Sequence, residues 1–242
     1  MTAAASHQRV LVCAANFAGA QSALAIADRL VQLFGMDIGG LFPEDFAALD
    51  KVVSPGQRIV TATGTLLVAP SRGQLEQVFS GEARAFQGAL SRLAERHTLT
   101  WSFERRSGEM MESLCQAARG WDILLIGQRR LRDRSGPVLS VGSAGQDSDR
   151  NHDLTARLAR ALGTYVTDLT AAADTGEARH SMLNRISRMH GALVVTDATH
   201  GPFRSEEELR QLIDAARCPV LVTGASGLHS ALEHSTQIPP EP

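Results

Sequence analysis

The residues with most to offer chemically lie where short apolar runs give way to polar turns. "RVLVCAANFAGAQSAL", Arg9 to Leu24, passes from a buried-strand composition into a helical one through Ala15, Asn16 and the small residues after them. In α/β proteins such a turn brings backbone N–H groups at a helix start to the phosphates of a nucleotide. Asn16 is its only strongly polar side chain before Gln21. Further on, Gly127 follows the apolar run "DILLI", and Arg129, Arg130, Arg132 and Arg134 come close behind. Guanidinium groups there could hold phosphate or carboxylate through paired hydrogen bonds, or could simply solvate a linker. "VGSAGQDSDRNHD" sets Gly142 and Ser143 before another helix. Its amides suit an anion, whereas Asp147, Asp149 and Asp153 oppose one and lack the glycine and glutamate spacing of a calcium loop.

Elsewhere the reactive residue types are scattered. The eight histidines are not spaced as metal ligands: His180 and His190 share one helical pattern and His97 closes another. Asp197 and His200 follow an apolar run, where enzymes keep working residues, but no nucleophile or second acid lies near them, which favours a structural turn. No serine nucleophile elbow, Cys-His signature, Walker loop or Gly-x-Gly-x-x-Gly follows any apolar run. Cys13, Cys115 and Cys218 are odd in number and sit in apolar settings, so they read as small buried hydrophobes in a reducing compartment. Lys51 is the one lysine among 24 basic residues, leaving a single seat for a phosphate-gripping or Schiff-base lysine. The expectation is a chain that is not an enzyme and needs no cofactor.

Charge narrows the partners. A net charge of -2 arises from interspersed arginines and acids, with no basic stripe to meet nucleic acid or a membrane surface. The N-terminal "MTAAASHQRV" has no signal-peptide core, and no apolar stretch reaches the roughly 18 residues of a membrane span. A cytoplasmic protein with a protein partner is expected.

The elements that must position these residues alternate. "RVLVCAA" predicts a strand and "AGAQSALAIADRLVQLFG" a helix stopped by Gly35; "MDIGGLFPED" predicts a second strand whose exit is punctuated by Pro43. Residues 46–77 form a long excursion, either an edge hairpin or a lid. Helix "GEARAFQGALSRLAERHT", strand "LTWSFERR", helix "GEMMESLCQAARGW" and strand "DILLIGQ" follow. After the linker "RRLRDRSG" comes strand "PVLSVGS", loop "AGQDSDRN" and helix "HDLTARLARALG". Strand "TYVTDLTAA", helix "EARHSMLNRISRMHG", strand "ALVVTDA", helix "SEEELRQLIDAARC" and strand "PVLVTG" complete the pattern, with Ser205 and Glu208 as a capping box. Such alternation predicts an α/β, doubly wound, Rossmann-like parallel sheet. It divides into two tandem lobes, 8–134 with the excursion and 135–226 as a copy shortened by one strand and one helix, before a disordered tail at 227–242.

In this ordering the chain resembles the universal stress protein family. "HTLTWSFERRSGEMMESLCQAARGWDILLIGQ" looks like the family's third strand, third helix and fourth strand, and "GALVVTDATHGPF" with "EELRQLIDAARCPVLV" like its fourth strand, fourth helix and fifth strand. The resemblance spans residues 8–226. It implies, for ATP-binding members, an Asp ending the first strand, a Gly-x-x-Gly after the fourth, and a later Gly-Ser/Thr pair. Here the Asp position falls on Ala15. Gly127 matches the first glycine, Arg130 stands at the second, and Ser140 and Val141 stand at the last pair, with Gly142 and Ser143 two residues later. In the second half Gly142 ends the first strand and Thr196 replaces the first glycine. The resemblance therefore implies a universal-stress-protein-like regulatory or stress-response module without standard ATP binding. The alternative is a divergent sensor or weak hydrolase for ATP, another adenine nucleotide or an anion at Asn16, Gly127, Arg129, Arg130, Gly142 and Ser143. The family also commonly dimerises through its last strand, so "CPVLVTG" is either a homodimer edge or the place where the two lobes satisfy each other.

Overall fold

The structure, a computed structural model, describes residues 8–45, 58–60, 66–68, 71–128, 136–143, 149–171 and 175–228. The first half runs β1 (Arg9–Cys13), α1 (Phe17–Phe34), β2 (Asp37–Glu44), β3 (Arg58–Val60), β4 (Leu66–Val68), α2 (Arg72–His97), β5 (Trp101–Ser107), α3 (Met110–Ala118) and β6 (Ile123–Ile126). The second runs β7 (Val138–Ser143), α4 (Asp149–Ala161), β8 (Val166–Ala171), α5 (Gly176–Arg188), β9 (Leu193–Asp197), α6 (Glu206–Ala216) and β10 (Val220–Thr223).

Eight strands form one sheet in the order β5-β2-β1-β6-β10-β9-β7-β8. Every pairing in it is parallel except β6 with β10, where the halves meet antiparallel. The fold is thus α/β, a mostly parallel, doubly wound sheet with helices on both faces. Alternation along the strands sends Leu11, Cys13, Leu124, Val220 and Val222 to the face under α3, α5 and α6, and Val10, Val12, Leu125 and Leu221 to the face under α1, α2 and α4. Each face carries one core, and both cores run unbroken across the β6/β10 junction. The halves therefore share their hydrophobic interior. Two further contacts staple them: Arg210 of α6 meets Glu109 at the start of α3 at 2.9 Å, and the Arg157 guanidinium of α4 lies 4.3 Å from the Phe34 ring centre.

Several expectations shift in physical detail. β2 continues through Pro43 to Glu44, because β1 reaches only as far as Leu41. The missing N–H of Pro43 points to the side that β1 has already vacated, so no ladder bond is lost. The paired glycines of β2 answer to bulk: a Cβ on Gly39 would stand 2.3 Å from the Trp121 ring, and one on Gly40 2.7 Å from the Phe103 ring. α2 begins at Arg72, inside the expected excursion, because Ser71 and Gln74 form a capping box there. β3 and β4 pair as an antiparallel hairpin in a separate two-stranded sheet, not at the edge of the main one. The rest of 46–70 lies outside the described residues. α4 starts at Asp149, within the expected loop, and α5 stops at Arg188, leaving His190 beyond it. Leu228, expected in a disordered tail, is buried in the core; 229–242 lie outside the described residues. Most consequentially, β10 is no edge: it sits between β9 and β6.

The capping box at α6 forms as expected, and Glu208 does more than cap. It accepts from the backbone N–H groups of Arg204 at 3.0 Å and Ser205 at 3.1 Å, and pairs with Arg179 of α5 at 3.1 Å. Partial burial pulls its pKa up, but these bonds and the guanidinium outweigh that and hold it below the ordinary carboxylate value. A depressed pKa contributes stability above the unfolded value near ~4.3 and loses it as pH falls through the folded one. Glu208→Gln is therefore expected to cost about 0.5–1 kcal/mol at pH 7. Thermal melts of both forms should converge as pH drops below ~4.

Candidate functional site

In an open α/β sheet, ligands bind beyond the carboxyl ends of the strands. Because β6 and β10 run antiparallel, with Ile123 opposite Thr223, those ends in the two halves lie at opposite ends of the sheet. The expected residues therefore separate. Asn16 and Gly127 share one end, while Gly142 and Ser143 stand at the other, paired with Thr170 and Ala171 of β8. Arg129, Arg130, Arg132 and Arg134 lie outside the described residues.

At the first end, α1 begins directly after β1, and Asn16 is its N-cap. The Asn16 Oδ1 accepts from the Gly19 N–H at 2.8 Å, the Asn16 carbonyl from the Ala20 N–H at 3.0 Å, and the Glu82 carboxylate of α2 from the Phe17 N–H at 3.3 Å. The chain's own acceptors thus occupy amides that would face a phosphate. Beside them the exit of β6 closes on α1. The Gly127 N–H donates to the Cys13 carbonyl at 2.7 Å, and the Ser22 hydroxyl lies 2.8 Å from the carbonyls of both Gly19 and Gln128. A Cβ on Gly127 would stand 2.4 Å from the Gly19 oxygen, and one on Gly19 2.9 Å from the Gly127 oxygen. Backbone thus meets backbone between the start of α1 and the exit of β6. Gln128 then reaches across to donate its side-chain amide to the Ile213 carbonyl of α6. Ala15 offers no acceptor.

At the second end, Asp197 organises the turn after β9. Its Oδ1 accepts from the Thr199 N–H at 2.6 Å and the His200 N–H at 3.1 Å, and its carbonyl from the Gly201 N–H at 2.8 Å. The structural turn expected for Asp197 and His200 is what forms. Two residues absent from the sequence reading complete the cluster. Asn151 of α4 donates to Asp197 Oδ2 at 3.1 Å and accepts from the Thr223 hydroxyl of β10 at 2.8 Å. No local motif could reveal them, since the three residues come from separate elements. Ser143 Oγ and Thr196 Oγ1 are enclosed without a hydrogen-bond partner among the described residues. Both strands send these side chains to the face under α5 and α6, away from Asp197 and Asn151.

The thiols match their apolar reading. Burial pushes Cys13 up to about 12. Cys115 reaches about 12 through burial and the carboxylates of Glu206 and Glu109, with Arg210 opposing them. Thiols held protonated like those of Cys13 and Cys115 are inert as nucleophiles, and Cys218 is buried as well. Among the described residues no group of three metal-ligating side chains assembles, and no helix is long and apolar enough to cross a membrane.

The architecture is that of an α/β, doubly wound, mostly parallel sheet protein with polar turns at both strand-end clefts. No family model matches the chain, and no curated protein matches it. Among solved structures it is similar to a universal stress protein from Archaeoglobus fulgidus, with 10% identity over 88% of this chain and 95% of that one and a TM-score of 0.41. It is also similar to a universal stress protein family member from Burkholderia pseudomallei, with 14% identity over 69% and 98% and a TM-score of 0.35. A functionally unknown protein from Pseudomonas aeruginosa gives 9% identity over 90% and 92%, with a TM-score of 0.47.

Proposed function

We propose that this chain is a non-enzymatic, universal-stress-protein-like regulatory or stress-response module. In this reading it consists of two tandem lobes in the cytoplasm and acts through protein contacts without standard ATP binding. The observation that carries the proposal is the closure of the first strand-end cleft: Gly19 against Gly127, with Asn16 and Glu82 on the amides of α1. Ala15, where the family resemblance implies an Asp, supports the same reading.

Thermal melting with ATP, ADP, AMP and cyclic dinucleotides tests it. A nucleotide present at 100 times its dissociation constant would stabilise the fold by ~2.7 kcal/mol. No displacement of the melt is expected with any of them at millimolar concentration. A clear ATP-dependent rise that Arg130→Ala abolishes would instead establish the divergent sensor.

A further inference from the structure

β8 closes the sheet on the side of the second half. Its counterpart in the first half, β2, is covered on its outer side by β5; among the described residues no strand stands in that place beside β8. The Val138 N–H donates to the Tyr165 carbonyl at 2.9 Å, so Tyr165 turns its backbone groups towards β7. By alternation Thr167, Leu169 and Ala171 do the same, while Val166, Asp168 and Thr170 present theirs to the open side. Natural sheets blunt such edges with charge, as β5 does with Glu104, Arg105 and Arg106. β8 carries Asp168 alone, and Tyr165, 67% exposed, stands beside it.

We propose that β8 is the surface through which two copies of this chain pair antiparallel, on a two-fold axis at Leu169, giving one sheet continuous across the dimer. The strand's own register argues for a second copy. Directly opposed side chains share a face, so a two-fold axis normal to the sheet passes through a residue position and not between two. At Asp168 it would set two carboxylates against each other, and at Thr167 it would set the acid against Val166. At Leu169 it opposes Asp168 to Thr170 twice, an acid against a hydroxyl donor. The outward backbone groups of those same residues then hydrogen-bond in both directions. This pairing does not depend on whether a nucleotide binds.

Sedimentation equilibrium on the full chain tests the proposal through Thr170, which is exposed. Thr170→Lys places an ammonium opposite Asp168 on both sides of the axis and is expected to lower the dimer dissociation constant roughly fivefold; Thr170→Glu is expected to raise it by a similar factor. Combining Asp168→Lys with Thr170→Glu restores opposite charges and is expected to recover the tight dimer. A chain that stays monomeric up to millimolar concentration overturns the proposal. So does a dimer whose constant both Thr170 variants leave unchanged or move in the same direction.

Discussion

Leu221→Pro is expected to leave no cooperatively folded protein. β10 is bonded to β9 on one side and β6 on the other, so a proline anywhere in it removes a ladder donor and drives its ring into a paired neighbour. Leaving a buried ladder carbonyl without its donor costs up to about 3 kcal/mol, before the clash of the ring is counted. Leu221 is 0% exposed and belongs to the core under α1 and α4, so losing its side chain costs a further ~2 kcal/mol. A total of about 5 kcal/mol consumes the whole stability of many domains. Circular dichroism melts and soluble yield read the result. The matching exchange at Asp168 supplies the control in dilute solution, below the concentration at which copies pair: its N–H points away from β7, so Asp168→Pro is expected to cost the monomer no more than ~1 kcal/mol. A Leu221→Pro protein that still melts cooperatively would mean that β10 lies at an edge, as the last strand of a separate lobe would.

Gly127→Ala is expected to lose about 3 kcal/mol, an overpacking cost at the upper end of what one methyl group imposes. The added carbon would sit 2.4 Å from the Gly19 oxygen and 2.7 Å from its carbonyl carbon, with the Ala23 Cβ at 3.2 Å behind. Backbone cannot rotate aside as a side chain can. Either β6 or the first turn of α1 must shift, and that turn is pinned by Asn16, Ser22 and Glu82. Urea unfolding of the variant measures the loss. Unchanged stability would show that α1 and β6 stand apart in solution, and the case for a closed cleft would fall with it.

Much of this was legible in the sequence wherever the signal is local. The alternation of apolar runs with amphipathic ones specifies the helices, the parallel strands and the two-sided winding. Ser205 with Glu208, and Asp197 before a polar turn, announce their hydrogen bonds within a few residues. What stayed hidden depends on residues far apart. "PVLVTG" has the same composition whether it ends a sheet or lies at its centre, because both faces are buried either way and its neighbour β6 is set by pairing alone. The first turns of α2 are mostly exposed and carry no apolar stripe, so only the Ser71 and Gln74 cap marks them. Of the candidate residues, Asn16 and Gly127 stand at one end of the sheet, each directly after a strand of the first half. Glu82, which accepts from the Phe17 N–H, comes from another helix and has no motif to betray it. Gly142 and Ser143, two residues past the position of the family's last glycine pair, are carried to the other end of the sheet by the reversal of strand direction between β6 and β10.

That reversal also governs how the chain must assemble. β6 is made early, yet its second neighbour, β10, is the last strand of the sheet, with all of β7, β8 and β9 between them. On the ribosome, β5, β2, β1 and β6 can come together while one flank of β6 stays bare and apolar, waiting for a segment synthesised much later. Long-range closure of this kind slows folding and leaves an aggregation-prone edge exposed meanwhile. The time between emergence of β6 and insertion of β10 is then the most vulnerable interval in the life of the molecule.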